Sequence, residues 1–434
     1  MKIPTSDMKI ALLTLGCKLN YAETSTYERG FKAAGLEVVP WQDKADIYLV
    51  NTCSVTGHSD NKCRNIIRKC HRVNPLADIV VTGCYAELKR DEVRSLEGVS
   101  LVFGAKEKQS VVPSVLAMVS GRDISLDESY KDRSMAEEYR HISSGIMPAW
   151  SSGERTRSFL KVQDGCNNFC AYCTVPFARG ESRNIPICEA VRAARLIAAE
   201  GVKEIVLTGV NTGDFGRTTG ESFLDLLKAL EEVEGIERYR ISSIEPNLLT
   251  RETVDWIASG TKFQPHFHIP LQTGDDGLLE KVGRRYTTAQ FASLIDYIRL
   301  KMGQKVFFGI DVIVGLPGET DEKFERTYAF LAERIRPAFI HIFPYSRRPG
   351  TRADKMPDQV RDSVKTDRVK RLEGLCETLS AEFRASCKGM RERVLWESDN
   401  HEGKMSGYTG NYLRMESVWD SDRIGTIEEI TISD

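Results

Sequence analysis

The sequence predicts an α/β protein in three parts: a doubly wound N-terminal domain, a partial (β/α)6 barrel of the TIM type, and a small C-terminal β-barrel. Three patterns carry this expectation. Residues 8–104 alternate short β-rich runs with helical segments, the chain from Phe159 repeats that alternation six times, and the last stretch alternates apolar and polar residues. With 434 residues, 41% of them hydrophobic, there is apolar material for two or three ordinary domains.

In the first part the strand-like runs are KIALLTLGC, DIYLVNTC, DIVVTGC and LVFG, with helices around Tyr21 to Ala34 and Asp60 to Arg72. That is the βαβ rhythm of a parallel sheet covered on both faces. Residues 121–154 are polar, hold KDRSMAEEYRH and two SSG triplets, and lack periodicity, which predicts a linker between a domain at 1–120 and one at 155–380. In the second domain the runs FLKVQDGC, EIVLTGVN, YRISSIEP, FHIPLQTG, FFGIDVIVGLPG and FIHIFPY supply six parallel strands, too few to close a full barrel. A charged helix from about Asp358 to Cys387 follows, and residues 381–434 form the terminal module.

Charge and hydropathy narrow the function classes. The formal net charge is −2, from 60 basic and 62 acidic side chains, so nucleic-acid affinity must come from local patches. Such patches exist: residues 346–393 hold 13 Lys/Arg against 8 Asp/Glu, and Asn61 to Asn74 hold five basic residues and no acid. Residues 388–434 of the terminal module have 6 basic and 10 acidic side chains, so its RNA contacts would need stacking on Tyr408, Tyr412 or Trp419. The apolar run near the start is interrupted by Thr14 and continues a strand, which predicts no signal peptide. No segment is apolar over a bilayer's width, so the expectation is a cytoplasmic protein with no membrane partner.

The eleven cysteines carry the chemistry. GCNNFCAYC sets Cys166, Cys170 and Cys173 at C-x3-C-x2-C just after the first barrel strand, where such folds keep their active sites. Three thiolates on a [4Fe–4S] cube leave one iron open, able to chelate the amino and carboxylate groups of S-adenosylmethionine. Read as zinc, the same set lacks the fourth ligand of a structural site. Cys17, Cys53 and Cys84 each end a predicted strand of one parallel sheet, so they converge at the sheet edge where open α/β folds bind ligands. The alternative for them is three unrelated buried cysteines. Cys63, Cys70, Cys188, Cys376 and Cys387 lie in helical patterns and are assigned to packing.

The motifs TLGCKLNYAE, VNTCSVTGHSDNKCRNIIRK, VTGCYAE, KVQDGCNNFCAYCTVPFARGESR, LTGVNTGDFG, SSIEP, HIPLQTGDDGLLEKVGRRYT, IDVIVGLPGET, FPYSRRPGT and GYTGNYLRME resemble, in this order, the radical S-adenosylmethionine methylthiotransferases over nearly the whole chain. LQTGDDG and Val282 are mild departures from that family's pattern. The resemblance implies a radical SAM barrel, a C-terminal RNA-binding TRAM domain, two [4Fe–4S] clusters and S-adenosylmethionine as both methyl donor and radical source. It implies Cys17, Cys53 and Cys84 as auxiliary-cluster ligands and Cys166, Cys170 and Cys173 as radical-cluster ligands. Cofactor contacts are expected from Tyr172, Thr208, Asn211, Gln272, Arg284 and Gly315, the last also readable as a turn glycine and Arg284 as a surface arginine.

TLGCKLN and LTGVNTGDFG look most like the branch that converts N6-threonylcarbamoyladenosine at position 37, next to the tRNA anticodon, to its 2-methylthio derivative. The expected partners are a tRNA anticodon stem-loop and a reducing donor such as flavodoxin or ferredoxin, with the chain a monomer. The substrate's carboxylate would need a cation, for which Arg179 and Arg183 are the candidates, the alternative for either being phosphate or the S-adenosylmethionine carboxylate. The alternatives are isopentenyladenosine in tRNA, a ribosomal protein aspartate, or a non-enzymatic, redox-sensing iron–sulfur RNA-binding protein.

Overall fold

The computed structural model describes residues 8–121, 145–153 and 156–433. Most of the expected linker therefore lies outside the described residues.

The N-terminal sheet is parallel, with β1 (Lys9–Thr14), β2 (Glu37–Val39), β3 (Ile47–Thr52), β4 (Asp78–Gly83) and β5 (Val99–Phe103) in the order β2-β1-β3-β4-β5. Every residue of β3 is buried, as a central strand covered on both faces must be. The edge strand β2 has only three residues and does not stand out in the sequence. Helix α1 (Lys18–Ala33) follows β1, and α2 (Gly57–Val73), N-capped by the Thr56 hydroxyl, follows β3.

The second region begins with β6 (Ala149–Trp150), antiparallel to β7 (Arg157–Lys161). A two-residue ladder joins β8 (Gln163–Asp164) to β9 (Arg183–Asn184). The remaining barrel strands are β10 (Glu204–Thr208), β11 (Arg238–Ile241), β12 (His266–Gln272), β13 (Phe307–Val314) and β14 (Phe339–Pro344). Their ladders form two sheets, β11-β10-β7-β6 and β12-β13-β14. Between β11 and β12 the bonds become irregular around Pro265, which has no N–H to donate. All six expected barrel strands are present.

Alternation fixes which side chains face the barrel interior. Leu160, Leu207, Ile269, Ile310 and Ile340 join the main core beneath the outer helices. Their strand neighbours Phe159, Val206, His268, Asp311 and His341 therefore face inward. The N-terminal domain fills the β7 side of this half-barrel. Phe159 and Val206 belong to the same core cluster as Ile10, Phe31 and Leu49.

The long helix Asp362–Ser386 leads to β15 (Arg391–Trp396), β16 (Lys404–Tyr408), β17 (Arg414–Val418) and β18 (Ile427–Thr431), an antiparallel sheet of order β17-β16-β15-β18. Its small core includes Val394, Trp396, Met405, Met415 and Ile432. Tyr408 and Tyr412 do not lie on an outer face, as an RNA-stacking role would require. They stack at 4.8 Å and plug the bottom of the barrel beneath Arg157, Arg240 and His266. Trp419 alone of the three is exposed. No helix among the described residues is long and apolar enough to cross a membrane.

Candidate active site

The N-terminal triad is assembled by strand register. β1, β3 and β4 are neighbours, Thr14 pairs with Asn51 and Thr52 with Gly83, so the chain delivers Cys17, Cys53 and Cys84 to one edge of the sheet. Gly16 makes the approach possible: its φ is +111°, and a Cβ there would stand 2.7 Å from Cys53 Cβ. Asn20, in the first turn of α1, donates to the Leu15 and Thr52 carbonyls at 2.7 and 3.0 Å and ties the two loops together.

Beside this triad lies a buried ion cluster. Glu23 of α1 receives Lys108 and Lys161 at 2.7 Å each, while Asp164 receives Lys161 and Arg179 at 2.8 Å. Burial alone would favour the neutral acids. The three cations outweigh it, with Lys108 foremost for Glu23 and Lys161 for Asp164, and hold both carboxyls well below their ordinary range. With Arg183 also 3.6 Å from Asp164, cations outnumber the two carboxylates, and Arg179 lies within Coulombic reach of Cys84 and Cys17.

This corrects the expected role of Arg179. Its guanidinium is 3% exposed and donates to Asp164, Glu23 and Asn20, so it braces two domains instead of meeting a substrate. Arg183 likewise bonds the Arg179 and Glu181 carbonyls and approaches Asp164.

The second triad is held by a local loop. Cys173 N–H bonds the Cys170 carbonyl, and the Asn168 and Val175 amides point at the sulfurs of Cys166 and Cys173 at 3.5 and 3.4 Å. Phe169, between the ligand positions, takes a left-handed φ of +49°, a strained geometry for an aromatic residue. Arg284 reaches the Cys170 sulfur at 3.4 Å, pairs with Glu245 at 3.1 Å and bonds the Tyr286 hydroxyl. It is no surface arginine. One terminal nitrogen, Nη2, is buried without a partner.

The other expected cofactor contacts fall at strand ends. Gln272 ends β12 with φ +70° after a register shift, and the Tyr286 hydroxyl fixes the preceding carbonyls of Pro270 and Leu271. Tyr172 packs with Val282 and Tyr345 close to Arg284. Thr208 is buried at the end of β10, and Asn211 uses its side-chain oxygen to hold the Glu245 amide. Gly315 has φ +81° and bonds Glu319, and a Cβ there would meet Lys365 at 2.4 Å, so at minimum it is a required turn glycine. Cys63 and Cys70 are buried in the N-terminal core, Cys63 donating to the Cys53 carbonyl.

The donor chemistry fits iron–sulfur clusters. Burial pushes Cys53 and Cys166 up to about 11 and Cys173 to about 12, so these sulfurs become thiolates only against a strong cation. In neither triad do the three sulfurs come within 4.8 Å of one another, the mutual spacing found among described residues only for His268, Asp311 and His341. A single ion draws its ligands together, whereas a cube holds each thiolate on a separate iron. A buried arginine also serves each triad, Arg284 in contact with the Cys170 sulfur and Arg179 within Coulombic reach of Cys84 and Cys17, which suits an anionic cluster.

Comparisons with known proteins agree with this geometry. The model described as the Radical SAM superfamily matches residues 160–331, and that described as the Uncharacterized protein family UPF0004 matches residues 9–104. The threonylcarbamoyladenosine tRNA methylthiotransferase MtaB of Bacillus subtilis (strain 168) is 37% identical over 98% of this chain and 93% of its own length. The chain belongs to the radical S-adenosylmethionine methylthiotransferases. The MtaB protein of Aquifex aeolicus (strain VF5) is 36% identical over 91% of this chain and 94% of its own. The tRNA-2-methylthio-N(6)-dimethylallyladenosine synthase of Carboxydothermus hydrogenoformans is 30% identical over 98% and 96%. Among solved structures, the radical S-adenosylmethionine methyltransferase TsrM from Kitasatospora setae matches with a TM-score of 0.56 at 16% identity, over 92% of this chain and 80% of that one. That likeness concerns the fold alone. As a family member, the chain is an enzyme that works with S-adenosylmethionine and [4Fe–4S] clusters.

Glu23, Glu245 and Tyr286 lie inside the motifs TLGCKLNYAE, SSIEP and VGRRYT but have no spacing signal of their own, and Lys108 lies in no motif. A usable signal was present for Lys161 and Asp164: charges inside the strand run FLKVQDGC mean that one face of that strand meets polar groups.

Proposed function

We propose that this enzyme adds a methylthio group to carbon 2 of N6-threonylcarbamoyladenosine next to the anticodon of tRNA. The observation that carries the reading is the pair of cysteine triads, one gathered at the edge of the N-terminal sheet and one on the loop after the first barrel strand, with Arg179 within Coulombic reach of the first and Arg284 touching the second. Relatives with the threonylcarbamoyladenosine name reach 37% identity and those with the dimethylallyladenosine name 32%, which favours the first substrate.

In this reading Cys17, Cys53 and Cys84 hold an auxiliary cluster and Cys166, Cys170 and Cys173 the radical cluster. The clusters with S-adenosylmethionine supply the radical and the methylthio group that an unactivated aromatic carbon demands. The chain's own residues orient and exclude. Arg284, with one donor still unused, takes the carboxylate of S-adenosylmethionine, while Glu245 and Tyr286 fix its plane. Gln272, Tyr172, Thr208, Asn211 and Gly315 shape the rest of the cofactor's seat.

The parts divide as an auxiliary-cluster domain at 1–120, a linker at 121–154, a radical domain at 155–380 and a TRAM domain at 381–434. RNA meets the exposed basic face of α2, including Lys62, Arg68 and Arg72, and the exposed pair Phe169 and Phe177, whose rings meet edge to face at 5.9 Å. Eleven free cysteines suit the reducing cytoplasm, where a monomer would draw electrons from a flavodoxin or ferredoxin. The test is turnover on matched anticodon stem-loops carrying threonylcarbamoyl, isopentenyl or no modification. Preference for the isopentenyl RNA would overturn the substrate while leaving the reaction standing.

A further inference from the structure

The half-barrel holds a polar chamber that none of the cluster or cofactor contacts uses. His268, Asp311 and His341 project into it from three adjacent strands, Asp311 pairing in register with His341. His268 Nε2 lies 2.5 Å from Asp311 Oδ1, and the two imidazoles stack at 4.6 Å. Although they are inside a barrel, the His268 and Asp311 side chains keep 22% and 17% exposure, so the chamber is open. The opening lies along the edge strand β14, where Phe339 and Phe343 flank His341 and are themselves exposed.

Three cations reach this chamber. Arg240 is bound to Glu204 at 2.8 Å and to the Thr409 and Gly410 carbonyls, and Arg157 to Glu397 at 2.9 Å. Lys18 is different. It enters from the first turn of α1, with its ammonium 5.9 Å from the centre of the Phe159 ring and within Coulombic reach of Asp311. Among the described residues it has no hydrogen-bond or ion-pair partner. A cation enclosed by protein and left unmatched selects for an anion.

We propose that Lys18 binds the carboxylate of the threonylcarbamoyl group, while Asp311, braced by His268 and His341, accepts from its hydroxyl or ureido N–H. This inference rests on the substrate reading above and names the side chains that would enforce it. The same three side chains offer donor atoms within 4.8 Å of one another, which also suits a divalent cation, but a neighbouring ammonium opposes that occupant.

The experiment measures equilibrium binding of the full chain to anticodon stem-loops bearing N6-threonylcarbamoyladenosine, its carboxylate methyl ester, or plain adenosine, with iron content determined in parallel. Wild type is expected to bind the free acid at least about tenfold more tightly than the ester, as a charge-assisted contact requires. Lys18→Met should reduce that ratio to within about twofold, and His341→Phe, remote from Cys17, should reduce it in the same direction. Retention of the ratio in Lys18→Met, or in His341→Phe if Lys18→Met fails to load iron, overturns the proposal. So does a stoichiometric divalent ion that His341→Phe releases. A wild type that fails to prefer threonylcarbamoyl over plain adenosine refutes the substrate reading itself, a separate result from a variant that keeps the preference.

Discussion

The two cysteine triads reach similar surroundings by opposite routes. Cys166, Cys170 and Cys173 share one loop, and their spacing is written in adjacent residues. Local amide contacts and the left-handed turn at Phe169 hold that loop. Cys17, Cys53 and Cys84 come from three separate strands, and the register of β1, β3 and β4 brings them together. A site made of sequence neighbours depends on its own loop. One made of strand ends depends on the whole sheet and on whatever locks that sheet to its neighbour, here the Glu23–Asp164 ion cluster.

The largest effects should come from emptying each site. Replacing Cys166, Cys170 and Cys173 by Ala should reduce 5′-deoxyadenosine formation to background. Replacing Cys17, Cys53 and Cys84 should abolish methylthiolation but leave cofactor cleavage measurable. Iron should fall from about eight to about four atoms per chain in either case, since each cube holds four. Equal loss of both activities in a folded, half-loaded N-terminal variant would break the division of labour.

The next effect is on stability. Glu23→Gln leaves Lys108, Lys161 and Arg179 facing Asp164 alone, and breaking such a buried cluster costs about 3–5 kcal/mol. The sign with pH follows from the depressed native carboxyl. Its stabilisation is fully present above the unfolded value of about 4.3 and is lost as pH falls below it toward the lower native value. Urea midpoints of the iron-free chain between about pH 3 and 6 should therefore fall steeply with acid in wild type and less steeply in Glu23→Gln.

A smaller effect should sharpen the contrast in assembly. Gly16→Ala places a Cβ against Cys53 at a φ that side chains avoid, so iron should be lost from the N-terminal site alone, with 5′-deoxyadenosine formation retained. Loss of both clusters would mean that the two sites assemble as one. The smallest effect belongs to the exposed pair beside the radical loop. Phe177→Ala should weaken stem-loop binding by about fivefold or more, the lower end of one base–aromatic stack, without changing iron content.

The sequence alone determined the strand–helix alternation, all six barrel strands and both cysteine triads, because periodicity, strand ends and C-x3-C-x2-C spacing are local properties of the chain. It also pointed to the carboxyl ends of the strands as the edge where the cysteines gather, since parallel α/β folds open there. Tertiary structure decided which charges pair. Arg179 follows the radical loop in sequence and looked free to meet a substrate, but in the folded chain Glu23 and Asp164 enclose it. Tyr408 and Tyr412 looked like stacking residues and became the floor of the barrel, where packing against Arg157 and His266 leaves them only half-exposed. Lys18, legible in the sequence only as part of the motif TLGCKLN, has no hydrogen-bond or ion-pair partner among the described residues of the barrel chamber. Whether a charge is paired or left over depends on contacts between distant segments, and those exist only once the sheet and the barrel have closed on each other.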